Sequence, residues 1–393
     1  MAINVAKARR ETPATAKLLH FNNAGAALPP VPVLAVQIAH LRREAEIGGY
    51  EAAKEAQNRI GQVYRSIARL IGASTKEIAL VENATVAWDM AFYSIPLQRG
   101  DRVLTAEAEY SSNFIAFLQR QRQIGFSIEV IPNTPTGEID LEALGRMIDR
   151  RVKLIAVTHV PTNGGLVNPA AEIGKLARQH GITYLLDACQ AVGQMPIDVA
   201  KIGCDLLSAT GRKYLRGPRG SGVLYVRKEI LNQLEPPFLD NHAAAWVAAD
   251  KYELRPDARR FENWENNYAA QLGLGAAVDY ALSWGLADIA KRIDALAAGL
   301  RQRLAAIPGV TVTDIGRKKC GIVSFVVEKK EAEDIAALLR KRKINCSVSS
   351  PASTLLDAMA RRLPDVVRAS VHYYNTEDEV ERFAAQIAKL AQA

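Results

Sequence analysis

Cysteine is scarce in this chain: four in 393 residues, at positions 189, 204, 320 and 346, with no C-x-x-C pair. That excludes a disulfide framework and the usual cysteine-based zinc sites, so no metal centre is expected and the thiols read as reduced. Aromatic residues are few, at 6%, and do not interleave with the basic ones. The formal charge of +8 therefore does not point to a nucleic-acid partner. The one dense basic run, Arg340-Lys341-Arg342-Lys343, falls at an expected helix end, where the helix dipole favours cations. No run approaches the roughly eighteen apolar residues of a membrane span, and the start MAINVAKARRETPATAK lacks the apolar block of a signal peptide. A cytoplasmic protein with no membrane or nucleic-acid partner is the resulting expectation. Neither a Walker loop nor G-x-G-x-x-G occurs, which counts against nucleotide and dinucleotide enzymes.

What is present is ample apolar material, 49% of residues, on a chain long enough for two domains. From Ile78 onward short β-rich runs alternate with amphipathic stretches: IALV then ATVAWDMAFYSI, RVLTA then SSNFIAFLQRQ, SIEVI then LEALGRMI, KLIAVTHV then AAEIGKLARQ. That rhythm predicts an α/β fold with a largely parallel sheet. After about Asn267 the pattern shifts to helices and mixed short strands. The expected division is an N-terminal arm at 1–25, a large domain at 26–266 and a smaller C-terminal domain at 267–393.

The densest chemistry lies between Tyr184 and Val226. An apolar β-rich run ends in Asp187, which places a carboxylate at the C-terminal mouth of a buried strand, where α/β sheets bind ligands. Gln190 follows one turn later. A second strand, Asp205 to Ala209, opens into Thr210-Gly211-Arg212-Lys213. A lysine to form a Schiff base, an acid for a pyridine nitrogen, and cationic or hydroxyl phosphate donors are the requirements of pyridoxal phosphate. Glu82-Asn83-Ala84-Thr85 adds a strand-to-helix junction, whose free N–H groups form an anion site. In the strand VVRASVHY, alternation puts Arg368, Ser370 and His372 on one face.

These residues resemble the class V, cysteine-desulfurase-like, fold-type I pyridoxal phosphate enzymes over nearly the whole chain. The resemblance implies a large domain with a mostly parallel seven-stranded sheet, a smaller α+β C-terminal domain, and a homodimer acting on a small amino-acid substrate. DACQAVGQMPIDV is similar to the family's Asp-x-x-Gln motif, which gives Asp187 to the pyridinium nitrogen and Gln190 to the phenolic oxygen. ATGRKYLRGPRG is similar to the lysine motif, with Lys213 as the Schiff-base residue. By the same likeness Ala84, Thr85, Thr210 and Arg212 bind the phosphate, and Tyr110 takes the ring-stacking place usually held by histidine. Thr162 aligns with a cofactor-contacting asparagine, and Arg368, Asn23 and Ala24 lie at the substrate carboxylate. Two departures stand out. Thr210-Gly211-Arg212-Lys213 replaces Ser-x-His-Lys, and FENWENN replaces the segment whose threonine reaches the neighbouring subunit's phosphate.

AEIGGY, the tyrosine after Glu109, the Arg-Lys pair and the long LRGPRG turn are most similar to the hercynylcysteine sulfoxide lyase-like subgroup. Desulfurases carry a cysteine on a small-domain loop, and the corresponding tract SVSSPASTLL, 347–356, has none. A carbon–sulfur β-lyase on a cysteine S-conjugate or sulfoxide is therefore the expected activity, with Lys213, Asp187 and Tyr110 catalytic. A class V aminotransferase or an epimerase is the alternative. Desulfurase activity and a non-catalytic binding role are disfavoured, the latter because Lys213 and Asp187 are both retained.

Overall fold

The structure is a computed structural model that describes residues 3–392. Its centre is a sheet of seven strands: β1 (Ile78–Val81), β2 (Arg102–Ala106), β3 (Ser127–Ile131), β4 (Val152–Thr158), β5 (Thr183–Asp187), β6 (Leu206–Thr210) and β7 (Gly222–Val226). They lie in the order β1-β7-β6-β5-β4-β2-β3. All neighbours are parallel except β7, which runs antiparallel to both β1 and β6. Strands of a doubly covered sheet are buried on both faces and read as unbroken apolar runs. In β5, Tyr184 and Leu186 enter one core cluster and Leu185 the other.

Helices α1 (Val31–Ile47), α2 (Gln57–Ile71), α3 (Ala84–Ser94), α4 (Ser111–Ile124), α5 (Ala170–Gln179) and α6 (Tyr268–Trp284) surround the sheet. Trp88 and Phe92 of α3 and Phe117 of α4 fill one side, while α2, α5 and α6 close the other. Beyond α7 (Leu286–Ala305) comes a four-stranded antiparallel sheet of β8 (Val310–Val312), β9 (Ile322–Val327), β10 (Ser347–Ser349) and β11 (Val366–Ser370). Its order is β8-β9-β11-β10, and α8 (Ala332–Lys341) and α9 (Glu377–Gln392) belong to the same part of the chain.

Three local readings change. The expected arm is anchored: Leu19–His20 pairs in parallel with Ile344–Asn345, and Arg9 forms an ion pair with Glu379 at 2.7 Å. The polar turn at 21–30 contains a short helix, Asn23–Ala26. Segment Asn23–Ile47 is also apolar enough by composition to cross a membrane, at mean hydropathy 1.4, contrary to the sequence reading. Here residues 27–30 interrupt it, and α1 packs along α6.

The turn after Gln190 meets the lysine segment at Gly193. That residue has φ +94°, and a Cβ there would stand 2.4 Å from the Leu215 amide nitrogen. Only glycine satisfies both the left-handed backbone and the close approach. Gly193→Ala should therefore cost about 2 kcal/mol or more of stability, seen as a lower thermal midpoint of the apoprotein. An unchanged midpoint would show that the two segments do not need this contact.

Candidate active site

Asp187, Gln190, Thr210, Arg212 and Lys213 meet in a cleft of about 440 Å³ at the carboxyl ends of the strands. Ala84, Thr85, Tyr110, Thr162 and Cys189 also line it. Two strand ends, β5 and β6, carry the acid and the lysine segment side by side because Leu185, Leu186 and Asp187 pair with Leu206, Leu207 and Ser208.

Asp187 accepts from the Cys189 amide at 2.8 Å and from Asn113 Nδ2 at 3.1 Å. The same Asn113 amide donates to Glu109 Oε1 at 2.8 Å. Glu109 is buried behind Asp187 and also accepts from the Thr158 amide at 2.9 Å, the Thr158 hydroxyl and the Tyr110 amide at 3.0 Å. Burial pushes its carboxyl up to about 7, the donors from Thr158 and Asn113 pull it back, and Asp187 raises it further. Sequence reasoning missed this network. The signal was present in EYSSN, where Glu109 and Asn113 stand four apart and so share one side of the entry into α4.

Lys213 Nζ makes no hydrogen bond or ion pair among the described residues. Burial lowers its pKa first; Cys189 and Asp187 pull it back up, and Arg212 and Arg368 lower it. Arg212 donates from Nη1 to the Gly25 carbonyl and has no carboxylate partner among the described residues. At the other end of the cleft, Asn83 caps α3 by accepting from the Val86 amide at 3.0 Å. The first-turn N–H groups at Ala84 and Thr85 have no intrahelical acceptor, as at any helix start.

Thr162 does lie in the cleft. Arg368 Nη1 donates to its hydroxyl at 2.6 Å and to its carbonyl at 3.0 Å, while Arg368 Nε reaches Ser347 Oγ at 3.1 Å. No carboxylate pairs with Arg368 among the described residues, although it is buried. Its strand is an inner one of the small sheet, not a solvated edge. Asn163, next in the chain after Thr162, donates to Thr354 Oγ1 at 2.7 Å. Asn23 is not brought to the cleft: its Nδ2 donates to the Ser370 and His20 carbonyls at 2.7 and 3.3 Å, and its Oδ1 accepts from Tyr374. Ala24 contributes its carbonyl, which accepts from Gln190 Nε2 at 3.1 Å.

Pyridoxal phosphate fits these residues. Gln190 Oε1 is buried with no partner, α3 presents an anion-binding N-terminus, and a lysine and an unpaired anion share the cleft floor. Together with the sheet order, this defines a fold-type I pyridoxal phosphate-dependent α/β enzyme. The aminotransferase class-V family model matches residues 19–383, and the chain belongs to that family.

A probable cysteine desulfurase of Xylella fastidiosa (strain 9a5c) is 34% identical over 95% of this chain and 91% of its own. One from Pyrococcus abyssi (strain GE5 / Orsay) is 30% identical over 98% and 97%. The apo structure of the cysteine desulfurase from Thermococcus onnurineus NA1 superposes with a TM-score of 0.93 at 28% identity, covering 100% of this chain and 99% of that one. These relatives overturn the expected lyase on cysteine S-conjugates or sulfoxides and its aminotransferase or epimerase alternative. The local likenesses behind that expectation, such as AEIGGY and the Arg-Lys pair, are few residues against full-length similarity to desulfurases.

Two outcomes are expected at this site. Borohydride treatment of the yellow holoprotein should tag Lys213 in peptide mapping, and a tag on another lysine would displace it. For Glu109 the folded pKa lies above the unfolded one, so its stabilising contribution is complete below about pH 4.5 and is lost as pH rises through about 7. The apoprotein's thermal midpoint should fall across that window, and Glu109→Gln should remove that part of the slope.

Proposed function

We propose that the protein is a cysteine desulfurase, acting on L-cysteine to release its sulfur and leave alanine. The reading rests on the full-length similarity to proteins named for that activity, and the buried, unpaired Arg368 beside Lys213 is the feature of the cleft that suits an amino-acid substrate.

The bound cofactor supplies an electron sink for bonds broken at the substrate's Cα and Cβ. The chain's own residues do the rest. Arg368 holds the α-carboxylate: Nη1 and Nε are already fixed by Thr162 and Ser347, so the guanidinium meets the carboxylate without losing further freedom. Asp187, oriented by Asn113 and the Cys189 amide, is the carboxylate that would face a pyridine nitrogen, and such a partner favours the nitrogen's protonated form. Lys213, with its pKa lowered by burial, holds a larger neutral fraction near neutral pH and serves as the amine that takes and returns the Cα proton. Tyr110 stands at the N-terminus of α4 on the cleft wall, placed to stack on a planar ring.

A homodimer suits the surface as well. Leu34, Ile38 and Leu41 of α1 are exposed, together with Tyr50 and Trp264, more apolar area than a monomer leaves in water without reason.

The test is product analysis. Holoenzyme given L-cysteine with dithiothreitol should form alanine and sulfide in equal amounts, and pyruvate with ammonia in place of alanine would refute the reading. Arg368→Ala should raise KM for cysteine about tenfold to a hundredfold, the equivalent of about 1.4–3 kcal/mol for a lost charged hydrogen bond. An unchanged KM would put the carboxylate elsewhere.

A further inference from the structure

A desulfurase must pass its sulfur to a nucleophile, and the tract that touches Arg368 from the C-terminal part of the chain offers only hydroxyls. Ser347 touches Arg368, and Asn163 reaches both Thr354 Oγ1 and, at 3.3 Å, the Ser350 carbonyl. The tract 347–356 thus adjoins Arg368 and the loop after β4, with serine and threonine and no thiol.

None of the four cysteines can take the part. Cys346 precedes β10, and its neighbour Ser347 is the residue turned to the cleft. Cys346 itself packs on the core, and the charges that reach it are Arg340 and Glu333 of α8. Burial pushes its thiol up to about 12. Cys320 is buried beneath Gly164, its Sγ 3.9 Å from that carbonyl, with its thiol also pushed to about 12. Cys204 is fully buried next to Asp205, at the far end of β6 from the cleft. Cys189 does line the cleft, between Asp187 and Gln190. It sits in the turn after β5 with its amide bonded to Asp187 Oδ1 at 2.8 Å, and burial with that carboxylate raises its thiol pKa, which disfavours the attacking thiolate.

Resting on the desulfurase reading, we propose that the sulfur acceptor is not part of this chain: a small-molecule thiol enters the cleft and takes the sulfur directly. Its thiolate attacks the sulfur of bound cysteine. The new S–S bond forms as the Cβ–S bond breaks, the electron pair stays with Cβ, and Cβ takes a proton to become the methyl group of alanine. The sum is cysteine + RSH → alanine + RSSH. Sulfur is oxidised by two electrons and Cβ is reduced by two, so no other oxidant is needed. The resulting persulfide leaves in solution and not on the protein.

The experiment is a single turnover with holoenzyme in tenfold excess over L-cysteine, so that no second cysteine molecule can serve as acceptor. It is run with and without added 2-mercaptoethanol. Alanine is quantified, and persulfide is located by alkylation and mass spectrometry of both protein and small-molecule fractions. Alanine should rise at least tenfold with the thiol, the persulfide should appear on 2-mercaptoethanol, and no cysteine of the chain should gain a sulfur. Cys346→Ser should behave as the unmodified enzyme. Alanine formed without added thiol, with an extra sulfur on Cys189 or Cys346, would overturn this proposal while leaving the desulfurase reading intact. No alanine in either arm would remove the desulfurase reading and the proposal with it.

Discussion

A carboxylate without a cationic partner at the end of a buried strand is expensive, and the large domain is organised to meet that cost at Asp187. One oxygen takes a backbone amide from the turn that follows, the other an amide from the start of α4. The donor on α4 cannot swing away, because Asn113 is also bonded to Glu109, and Glu109 is clamped by the backbone and hydroxyl of Thr158 at the end of β4. Strands β4 and β5 and helix α4 are thereby locked around one charge. The arrangement holds the Asp187 carboxylate in a fixed position facing the cleft, which is what preorganised electrostatics contributes to catalysis.

The lysine side of the cleft depends on a different constraint. Arg216 is among the most buried large side chains in the molecule and has φ +62°, an unusual conformation for a residue with a Cβ. Its guanidinium donates to Leu28 O at 2.9 Å, Tyr373 Oη at 2.6 Å and Thr12 Oγ1 at 2.6 Å. It also lies over the Tyr374 ring, 4.6 Å from the centroid. One side chain, three residues after Lys213, therefore stitches the N-terminal segment and the C-terminal part of the chain to the catalytic loop. Strain at such a position persists only where the surroundings over-determine it.

Much of this was readable in the sequence where the signal was local. The β/α rhythm, the strand ending in Asp187, the junction at Ala84 and the polar tract before Lys213 each follow from a few neighbouring residues, and each lies where periodicity places it. Arg216 read only as part of a long turn, because its partners Thr12, Leu28 and Tyr373 are far away in sequence. Glu109 and Asn113 were hidden for the same reason, since their meaning comes from Thr158 and Asp187. Asn23 shows the opposite failure. Motif likeness put it at the substrate, whereas its amide is consumed by Ser370, His20 and Tyr374. The expected activity leaned on one missing loop thiol, a local absence outweighed by full-length similarity to proteins named cysteine desulfurase.

Arg368 draws these constraints into one device. It grows from β11 of the small sheet, yet it bonds Thr162 of the loop after β4, and Ser347 of β10 steadies it from its own side. A buried guanidinium with neutral partners is poorly compensated, so an incoming carboxylate repays its desolvation best at the seam between the two sheets. The same seam joins the tract from Ser347 to Thr354 to the loop after β4, because Asn163 of that loop donates to Thr354 Oγ1 while Ser347 meets Arg368.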